Sequence, residues 1–287
     1  MMKSPENLKI IPRKLTIDLT EALKDKPYWL ENDPVKTHFF NALQSAFPEG
    51  ERMFIDSARD VRDRYSDQLS EELKEQIKLF IKQEAFHGVH HEEWNRALTE
   101  RGYDKIATYS RWFREQRLLM KNRVPPLYRL AMTAAGEHFT AITARLNIHG
   151  DPGFMESVDR PFRDLILYHA IEEIEHKAVC FDLYQQAGGS YFTRVLGAAS
   201  FTFGMISHVR GIHIYLLKKD GLWNRETKKQ ARKEVWGKDG LVRKLLPDII
   251  DYLRPGFHPW ETDDRKWLLR DFSETLEEYG IEAPEYA

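Results

Sequence analysis

The stretch FIKQEAFHGVHHEEWN at residues 80–95 places a glutamate and a histidine one helical turn apart, at Glu84 and His87. The stretch YHAIEEIEHKAVCFDLY at residues 168–184 repeats this Glu-x-x-His spacing. In both stretches the pair falls on a helical face that is otherwise apolar, because residues three and four apart lie on the same side of a helix. A buried carboxylate is costly unless a metal ion or an opposite charge compensates it. The repeated pair therefore indicates a metal site inside a helical protein.

Two further segments each place a single glutamate on an apolar helical face, at Glu51 and Glu137. One glutamate from each of two helices, with a Glu-x-x-His pair from each of two others, is the ligand set of ferritin-like di-metal carboxylate proteins. A lone Glu-x-x-His is more often a solvated pair, but the four segments together favour a dinuclear site. The six predicted metal ligands are Glu51, Glu84, His87, Glu137, Glu173 and His176.

Three more residues on the same faces are expected to hold the ligands in position or to be alternative ligands. Glu172 and Glu173 lie on opposite flanks of His176, so either could face the core, and the spacing favours Glu173. His91 and His169 are expected to hydrogen-bond a ligand carboxylate. The alternative is that one of them is a third histidine ligand or a proton relay.

Prolines, glycines and capping residues divide the chain into helices, and no stretch has sustained strand alternation. The fold is therefore predicted to be all-α. Pro48 is expected to begin a new helix, which would put Glu51 in a first turn, where the helix dipole alone favours glutamate. The predicted helices lie at about 34–47, 48–65, 71–100, 109–121, 126–147, 159–188, 191–219, 225–246 and 262–279.

The spacing of the ligands predicts how the helices connect. Nearly the same number of residues separates Glu51 from Glu84 and Glu137 from Glu173, which suits two antiparallel helix pairs whose ligands meet at one level. The longer interval between the pairs suits a crossover, so we expect a ferritin-like four-helix bundle with additional C-terminal helices. The predicted parts are a lead-in at 1–33, the di-metal bundle at 34–190 and a helical extension packed on the bundle at 191–287.

Composition limits the class of protein. The chain has 287 residues, of which 42% are hydrophobic and 31% charged, as in a soluble globular protein. Its net charge of −2 argues against a nucleic-acid partner. Cys180 is the only cysteine, which fits a reducing compartment. The N-terminus lacks the apolar run of a signal peptide, so the expected location is the cytoplasm, with membrane association left open.

The segment 195–217, VLGAASFTFGMISHVRGIHIYLL, is long enough to span a bilayer but contains His208, Arg210 and His213. We expect a buried helix; the alternatives are a membrane-dipping element or the wall of an apolar substrate channel. Small residues recur along it and would let a neighbouring helix approach closely. They are Gly197, Ser200, Gly204, Ser207 and Gly211.

Two features of the C-terminal region lead to further expectations. The basic run at 225–238 is expected to be a solvated face, with a peripheral contact to an anionic membrane as the alternative. The segment RPGFHPW at 254–260 is expected to cover the bundle, with His258 in a structural role. Trp236, Trp260 and Trp267 would bury area there.

Several segments together resemble a known family. They are the two stretches quoted above with FPEGERMF (47–54), AAGEHFTA (134–141) and RPGFHPW (254–260), and the resemblance runs from about residue 30 to about residue 275. The chain resembles the bacterial proteins described as predicted metal-dependent hydrolases, which implies a hydrolase. The site residues that the resemblance implies are Glu84, His87, His91, Glu137, His169, Glu173 and His176, with Glu172 left open.

The ligand set suits two divalent metal ions, with iron expected and manganese or zinc as alternatives. We expect an oxygen-activating di-iron oxidoreductase that acts on an apolar small molecule. The alternative is a metal-dependent hydrolase that uses a metal-bound hydroxide, as the resemblance implies. A third hypothesis is non-enzymatic metal handling, and a homodimer is left open.

Overall fold

The computed structural model describes residues 4–5, 9–150 and 153–264. Those residues contain no β-strand, only an isolated antiparallel bridge between Leu30 and Val158, which confirms the predicted all-α fold. The predicted helix at 262–279 lies almost entirely outside them. The α-helices are α1 (Leu19–Asp25), α2 (Pro34–Arg64), α3 (Glu71–Glu100), α4 (Lys105–Arg123), α5 (Pro126–Arg145), α6 (Phe162–His176), α7 (Val179–Gln186), α8 (Tyr191–Lys219), α9 (Arg225–Trp236) and α10 (Leu241–Tyr252).

Helix α2 continues through Pro48, where the sequence predicted that one helix ends and another begins. Proline lacks the N–H that would bond to the carbonyl of residue 44, so the helix loses one hydrogen bond there. Every residue at 41–51 is buried, and this packing overrides the local preference for a break. Glu51 therefore lies in the interior of α2, and its predicted place in a first helical turn is wrong. The helix dipole does not account for a glutamate at this position.

Helix α3 has the start and end that the sequence predicted. The Ser70 side chain accepts a hydrogen bond from the backbone N–H of Leu73, which caps the first turn. The chain leaves the helix through Gly102, whose φ of +104° is unfavourable for other residues. Both predicted ligands of this helix, Glu84 and His87, lie in its interior, where the backbone is most regular.

The helix predicted at 159–188 is divided directly after His176 into α6 and α7. Lys177 occupies the break and is buried. Its ammonium group donates to Asp264 Oδ2 at 2.7 Å and lies 4.0 Å from the centre of the Trp260 ring. These contacts, made by a segment far away in the sequence, account for a break that no proline or glycine announces.

The single basic helix predicted at 225–246 is also two helices, α9 and α10. They meet at a turn over 237–240, and a Cβ atom on Gly237 would lie 2.3 Å from the carbonyl oxygen of Lys233. Such a distance is shorter than any real contact, so the turn requires glycine there. The two helices form a helical hairpin, named here the α9–α10 hairpin.

Helices α2, α3, α5 and the α6–α7 pair contact one another and form the core around the predicted ligands. Helix α8 packs on α5 and α2 at the outside of this core. Four ligand-bearing helical units were expected; whether their connection is ferritin-like, and whether the chain divides at residue 190, stay predictions.

The described part of the lead-in lies as a strap over the core. Its residues from 13 to 19 alternate between buried and exposed, as in an extended chain lying on a surface. Leu15, Ile17 and Leu19 fill the core cluster next to Trp29. Arg13 occupies an inward position of the same alternation and is buried as well. The strap, defined as residues 9–18, thus delivers a charged side chain into the interior.

Helix α8 spans the predicted residues but is not buried all round. One face packs on α5 and α2, and the opposite face exposes four large apolar side chains: Phe192, Leu196, Phe203 and Ile206. No helix in the described part of the chain is both long enough and apolar enough to cross a membrane.

The segment 254–260 packs against the end of the bundle. His258 Nε2 lies 2.9 Å from a carboxylate oxygen of Asp182, in agreement with the structural role predicted for it. Trp260 is buried, whereas Trp236 is half exposed, so the expected burial of Trp236 is wrong. Trp267 lies outside the described residues.

Gly197 and Gly204 offer a matched pair of substitutions in α8. A Cβ atom on Gly197 would lie 2.7 Å from Ala131 Cβ and 2.8 Å from the Ala131 carbonyl carbon, so Gly197→Ala forces α5 and α8 apart. We expect a loss of about 1–3 kcal/mol in the free energy of unfolding. Gly204 has no atom within 4 Å of the added Cβ, so Gly204→Ala should be stabilising by about 0.5–1 kcal/mol. Urea unfolding measures both, and equal effects would contradict the close approach.

Candidate metal centre

Helices α2, α3, α5 and α6 bring the six predicted ligands together inside the bundle. Each of the six residues is at most 4% exposed. Their ligand-capable atoms form two adjoining groups, one rich in carboxylates and one rich in histidines. Their assignment as metal ligands stays a prediction, which the following distances support. The six are Glu51, Glu84, His87, Glu137, Glu173 and His176.

The carboxylate-rich group surrounds His176, the last residue of α6. His176 Nε2 lies 3.1 Å from Glu137 Oε2, 3.4 Å from Glu173 Oε2 and 3.5 Å from Glu84 Oε1. The ligand-capable atoms of Glu84, Glu173 and His176 all lie within 4.8 Å of one another, which is close enough to share one ion. Three carboxylates and one imidazole thus converge from three helices.

The histidine-rich group combines His91 and His169 with Glu51 and His87. Glu51 Oε1 lies 2.9 Å from His91 Nε2 and 3.9 Å from His169 Nε2. His87 Nδ1 lies 3.3 Å from Glu84 Oε1, which joins the two groups. His91 and His169 thus stand among the ligand-capable atoms, so both of their predicted roles stay open.

Buried polar atoms in this cluster lack the hydrogen bonds that normally accompany burial. Among the described residues, both carboxylate oxygens of Glu51, Glu84 and Glu137 have no hydrogen bond of acceptable geometry, and neither does His176 Nε2. Ionised carboxylates left in this state would cost several kcal/mol each, on the order of the penalty for burying an unpaired charge. Metal ions remove the cost by accepting these lone pairs, and this chemistry fits the donor set.

Proton affinities inside the cluster are strongly perturbed. Burial, with repulsion from neighbouring carboxylates, raises the pKa of Glu51 and Glu84 well above the ordinary value. Burial acts to lower the pKa of His176, but Glu137 and Glu173 raise it to about 10. Without metal the cluster therefore holds protons at neutral pH. Metal binding must displace them, so metal affinity should fall in acid.

Glu172 lies on the far side of His87 from the carboxylate-rich group. Its Oε2 atom is 2.9 Å from His87 Nε2, and its Oε1 atom accepts a hydrogen bond from the backbone N–H of Arg13 at 2.8 Å. Glu173 instead lies 2.7 Å from His169 Nε2 and accepts a hydrogen bond from the Thr140 hydroxyl. This placement supports Glu173 as the ligand and Glu172 as the residue that orients His87.

His176 is oriented by a second set of contacts. Its Nδ1 atom lies 2.9 Å from Gln83 Oε1, which leaves Nε2 to face the carboxylates. Gln83 Nε2 donates to Glu175 Oε2 at 2.8 Å. Arg13 donates to both oxygens of Glu175, at 3.0 Å and 2.7 Å. Arg13 thus connects to His176 through Glu175 and Gln83, and it connects to the other Glu-x-x-His pair through Glu172.

Sequence reasoning missed Arg13, Gln83 and Glu175. Gln83 and Glu175 each directly precede a predicted ligand, so they lie on a neighbouring face of the same helix. Arg13 had a usable signal, because it occupies an inward position in the alternating apolar pattern of IPRKLTIDL at 11–19. A charged residue at such a position requires a buried partner of opposite charge.

The sequence profile of a family described as "Predicted metal-dependent hydrolase" matches residues 11–263, which is most of the chain. The chain therefore belongs to this family, as its motifs indicated. The match begins earlier than the resemblance that the motifs carried, and it includes Arg13 and most of the strap. No curated protein and no solved structure matches the sequence.

Metal content tests the ligand assignment. We expect elemental analysis to find two divalent ions per chain, since two groups of donors adjoin. Glu173→Ala and His176→Ala should each lose at least one ion, because both residues belong to the carboxylate-rich group. Glu172→Ala should retain both ions. Loss in Glu172→Ala with retention in Glu173→Ala would reverse the assignment, and one ion in the unaltered protein would contradict the dinuclear centre.

Arg13→Met tests whether the strap sets metal affinity. The substitution removes the cation that Glu175 contacts with both oxygens, so we expect metal to bind about 10–100-fold more weakly, the usual effect of losing such a partner. The metal affinity of Arg13→Lys should fall between that of the unaltered protein and that of Arg13→Met. Competition with a chelator measures the change in dissociation constant.

Ile10→Ala is the control for Arg13→Met, because Ile10 is a buried apolar residue of the same strap. It should lower the free energy of unfolding by about 2–5 kcal/mol. Its metal affinity should stay unchanged. If both variants weaken metal binding equally, Arg13 acts only by holding the strap in place.

Proposed function

We propose that the protein is a cytoplasmic metal-dependent hydrolase whose two divalent ions bind in the candidate metal centre. The buried carboxylate oxygens of Glu51, Glu84 and Glu137, which lack hydrogen bonds of acceptable geometry, support this most directly. Membership of a family described as metal-dependent hydrolases supports the class of reaction. The carboxylate-rich group would hold one ion and the histidine-rich group the other.

A pair of divalent ions supplies a Lewis acid and lowers the pKa of a coordinated water. The protein's contribution is to hold the two positions close together. Glu84 Oε1 lies near both His87 and His176, and the two oxygens of Glu173 lie near His169 and His176 respectively. These two carboxylates are therefore the residues that would connect the two ions.

His169 marks the side from which water and substrate would arrive. It is 13% exposed at its side chain, the most exposed of the ligand-capable residues in the cluster. Its Nε2 atom lies 2.7 Å from Glu173 Oε1 and 3.9 Å from Glu51 Oε1, so the donors on this side are the ones closest to solvent. The Phe47 ring lies 5.9 Å from the His169 ring and 4.9 Å from the His91 ring. This aromatic side chain favours an apolar substrate over a charged one.

Oxygen-dependent oxidation of an apolar small molecule by a di-iron centre is the second candidate. The near-complete burial of the cluster favours it, because a molecule as small as oxygen enters a closed interior more readily than an ester does. Helix α8 adjoins the site: the Phe201 ring lies 2.9 Å from where a Cβ atom of Gly136 would be, next to Glu137. An apolar substrate bound against Phe201 would lie beside Gly136, the neighbour of the predicted ligand Glu137.

Metal substitution separates the two candidates. Protein loaded with zinc cannot activate oxygen, since zinc has no redox chemistry, but it can polarise a substrate for hydrolysis. We expect zinc and iron forms to hydrolyse esters or amides without oxygen. Oxygen consumption with apolar substrates by the iron form alone would overturn hydrolysis in favour of oxidation. Tight binding of two ions with no turnover in either assay would leave non-enzymatic metal handling as the function.

A further inference from the structure

The outward face of α9 is basic. Five of its residues that are exposed to solvent are lysine or arginine, and only one exposed residue is acidic, Glu226. The charge continues past the helix end with Lys238 and Arg243, both exposed. The five basic residues are Arg225, Lys228, Lys229, Arg232 and Lys233.

This charge is local. The whole chain has a net charge of −2, but the segment 225–244 contains eight basic residues and three acidic ones. An overall acidic protein that concentrates cations on one element presents them to an anionic partner. A solvated helix face of a protein with this net charge has no need for such a concentration.

Large apolar side chains accompany the cations on the same hairpin. Trp236 is 52% exposed at the end of α9, and Leu246 and Ile250 are 44% and 59% exposed on α10. Leu246 and Ile250 are four residues apart and so share one face of α10 with Arg243. Exposed apolar side chains beside lysine and arginine are the composition of helices that lie in a membrane interface.

The N-terminal turn of α8 adjoins this surface. The Tyr191 hydroxyl donates to the carbonyl of Leu253 at 2.9 Å, directly after α10 ends. Phe192, the next residue, is 76% exposed. Eight large apolar residues exposed on the described part of the chain belong to α8, α9 or α10: Tyr191, Phe192, Leu196, Phe203, Ile206, Trp236, Leu246 and Ile250.

We propose that the α9–α10 hairpin docks the protein on an anionic lipid bilayer. The basic face of α9 is drawn to acidic headgroups, and Trp236, Leu246 and Ile250 enter the boundary between headgroups and acyl chains. Nucleic acid fits less well, because it offers no apolar phase for these three side chains. A second copy of the chain fits less well, because its hairpin would bring like charges together.

A cavity lies on the inner side of the docked element. It has a volume of about 370 Å³ and is a partly open cleft between the hairpin and the start of α2. Phe39, Phe40, Val235 and Leu241 are among its apolar lining residues. A molecule that leaves the bilayer at the hairpin would meet this cavity before the core. If the proposed function holds, docking brings the enzyme to a source of apolar substrate.

Vesicle binding by the full-length protein tests the docking directly and does not require metal. We expect co-sedimentation with vesicles of phosphatidylcholine and phosphatidylserine, weakened by salt, and little with phosphatidylcholine alone. Lys229→Glu with Arg232→Glu should weaken binding at least roughly tenfold, because each basic residue near an anionic surface contributes substantially. Lys78→Glu with Lys82→Glu on α3 makes the same charge change at exposed positions elsewhere and should have little effect.

Fluorescence quenching tests whether Trp236 enters the bilayer. Brominated lipids should quench tryptophan emission in the unaltered protein, and Trp236→Phe should remove most of that quenching. Leu246→Ser with Ile250→Ser should weaken vesicle binding without changing the melting temperature, since both residues are exposed.

Three results would overturn the proposal. The first is equal binding to both kinds of vesicle, or binding to neither. The second is an equal loss in the α3 control variant. The third is loss of RNA binding or of dimer formation in the hairpin variants while vesicle binding is absent.

Discussion

The burial of six carboxylates in one helical core is the constraint on which the rest of this structure depends. Only Arg13 among the residues described here contacts two of them as a permanent cation, and it reaches Glu172 and Glu175. The other four, on α2, α3, α5 and α6, face one another with imidazoles between them. Like charges at these distances repel strongly in a low dielectric, so they need protons or metal ions. The interior of α2 positions Glu51, the strap positions Arg13, and the end of α6 positions His176. The six are Glu51, Glu84, Glu137, Glu172, Glu173 and Glu175.

The sequence predicted this cluster well because its spacing is a local property of helices. Two Glu-x-x-His pairs on apolar faces needed no tertiary information, and neither did the ends of α3 and α8, which depend on capping residues and glycine. The failures were tertiary. Pro48 stays inside α2 because its surroundings are buried, and α6 ends at His176 because Lys177 is bound by residues far away in the sequence. Arg13 lies far from every motif in the sequence, so its place in an alternating apolar pattern was the one sign that its side chain is buried.

The two donor groups differ in chemistry. Around His176 the donors are mostly carboxylate oxygens, whereas around Glu51 they are mostly imidazole nitrogens. Carboxylates suit harder ions such as manganese, and imidazole suits zinc and iron. Two ions bound here would therefore differ in their surroundings even if they were the same element. Because Arg13 contacts both Glu172 and Glu175, we expect a change at the strap to affect both metal positions.

We expect folding and metal binding to be coupled through the same carboxylates. Burial raises the pKa of Glu137 in the folded protein to about 7, from an ordinary value of 4.5. A group whose pKa is raised on folding stabilises the folded state at low pH and loses that contribution as pH rises through the folded value. The metal-free core is thus least favourable at neutral pH and above, where ionised carboxylates are unpaired. A bound metal reverses the sign, because it prefers the ionised form and loses affinity when acid protonates the ligands. At physiological pH the ionised carboxylates that are costly in a metal-free core are the ones predicted to bind the metal, so we expect bound ions to stabilise the fold.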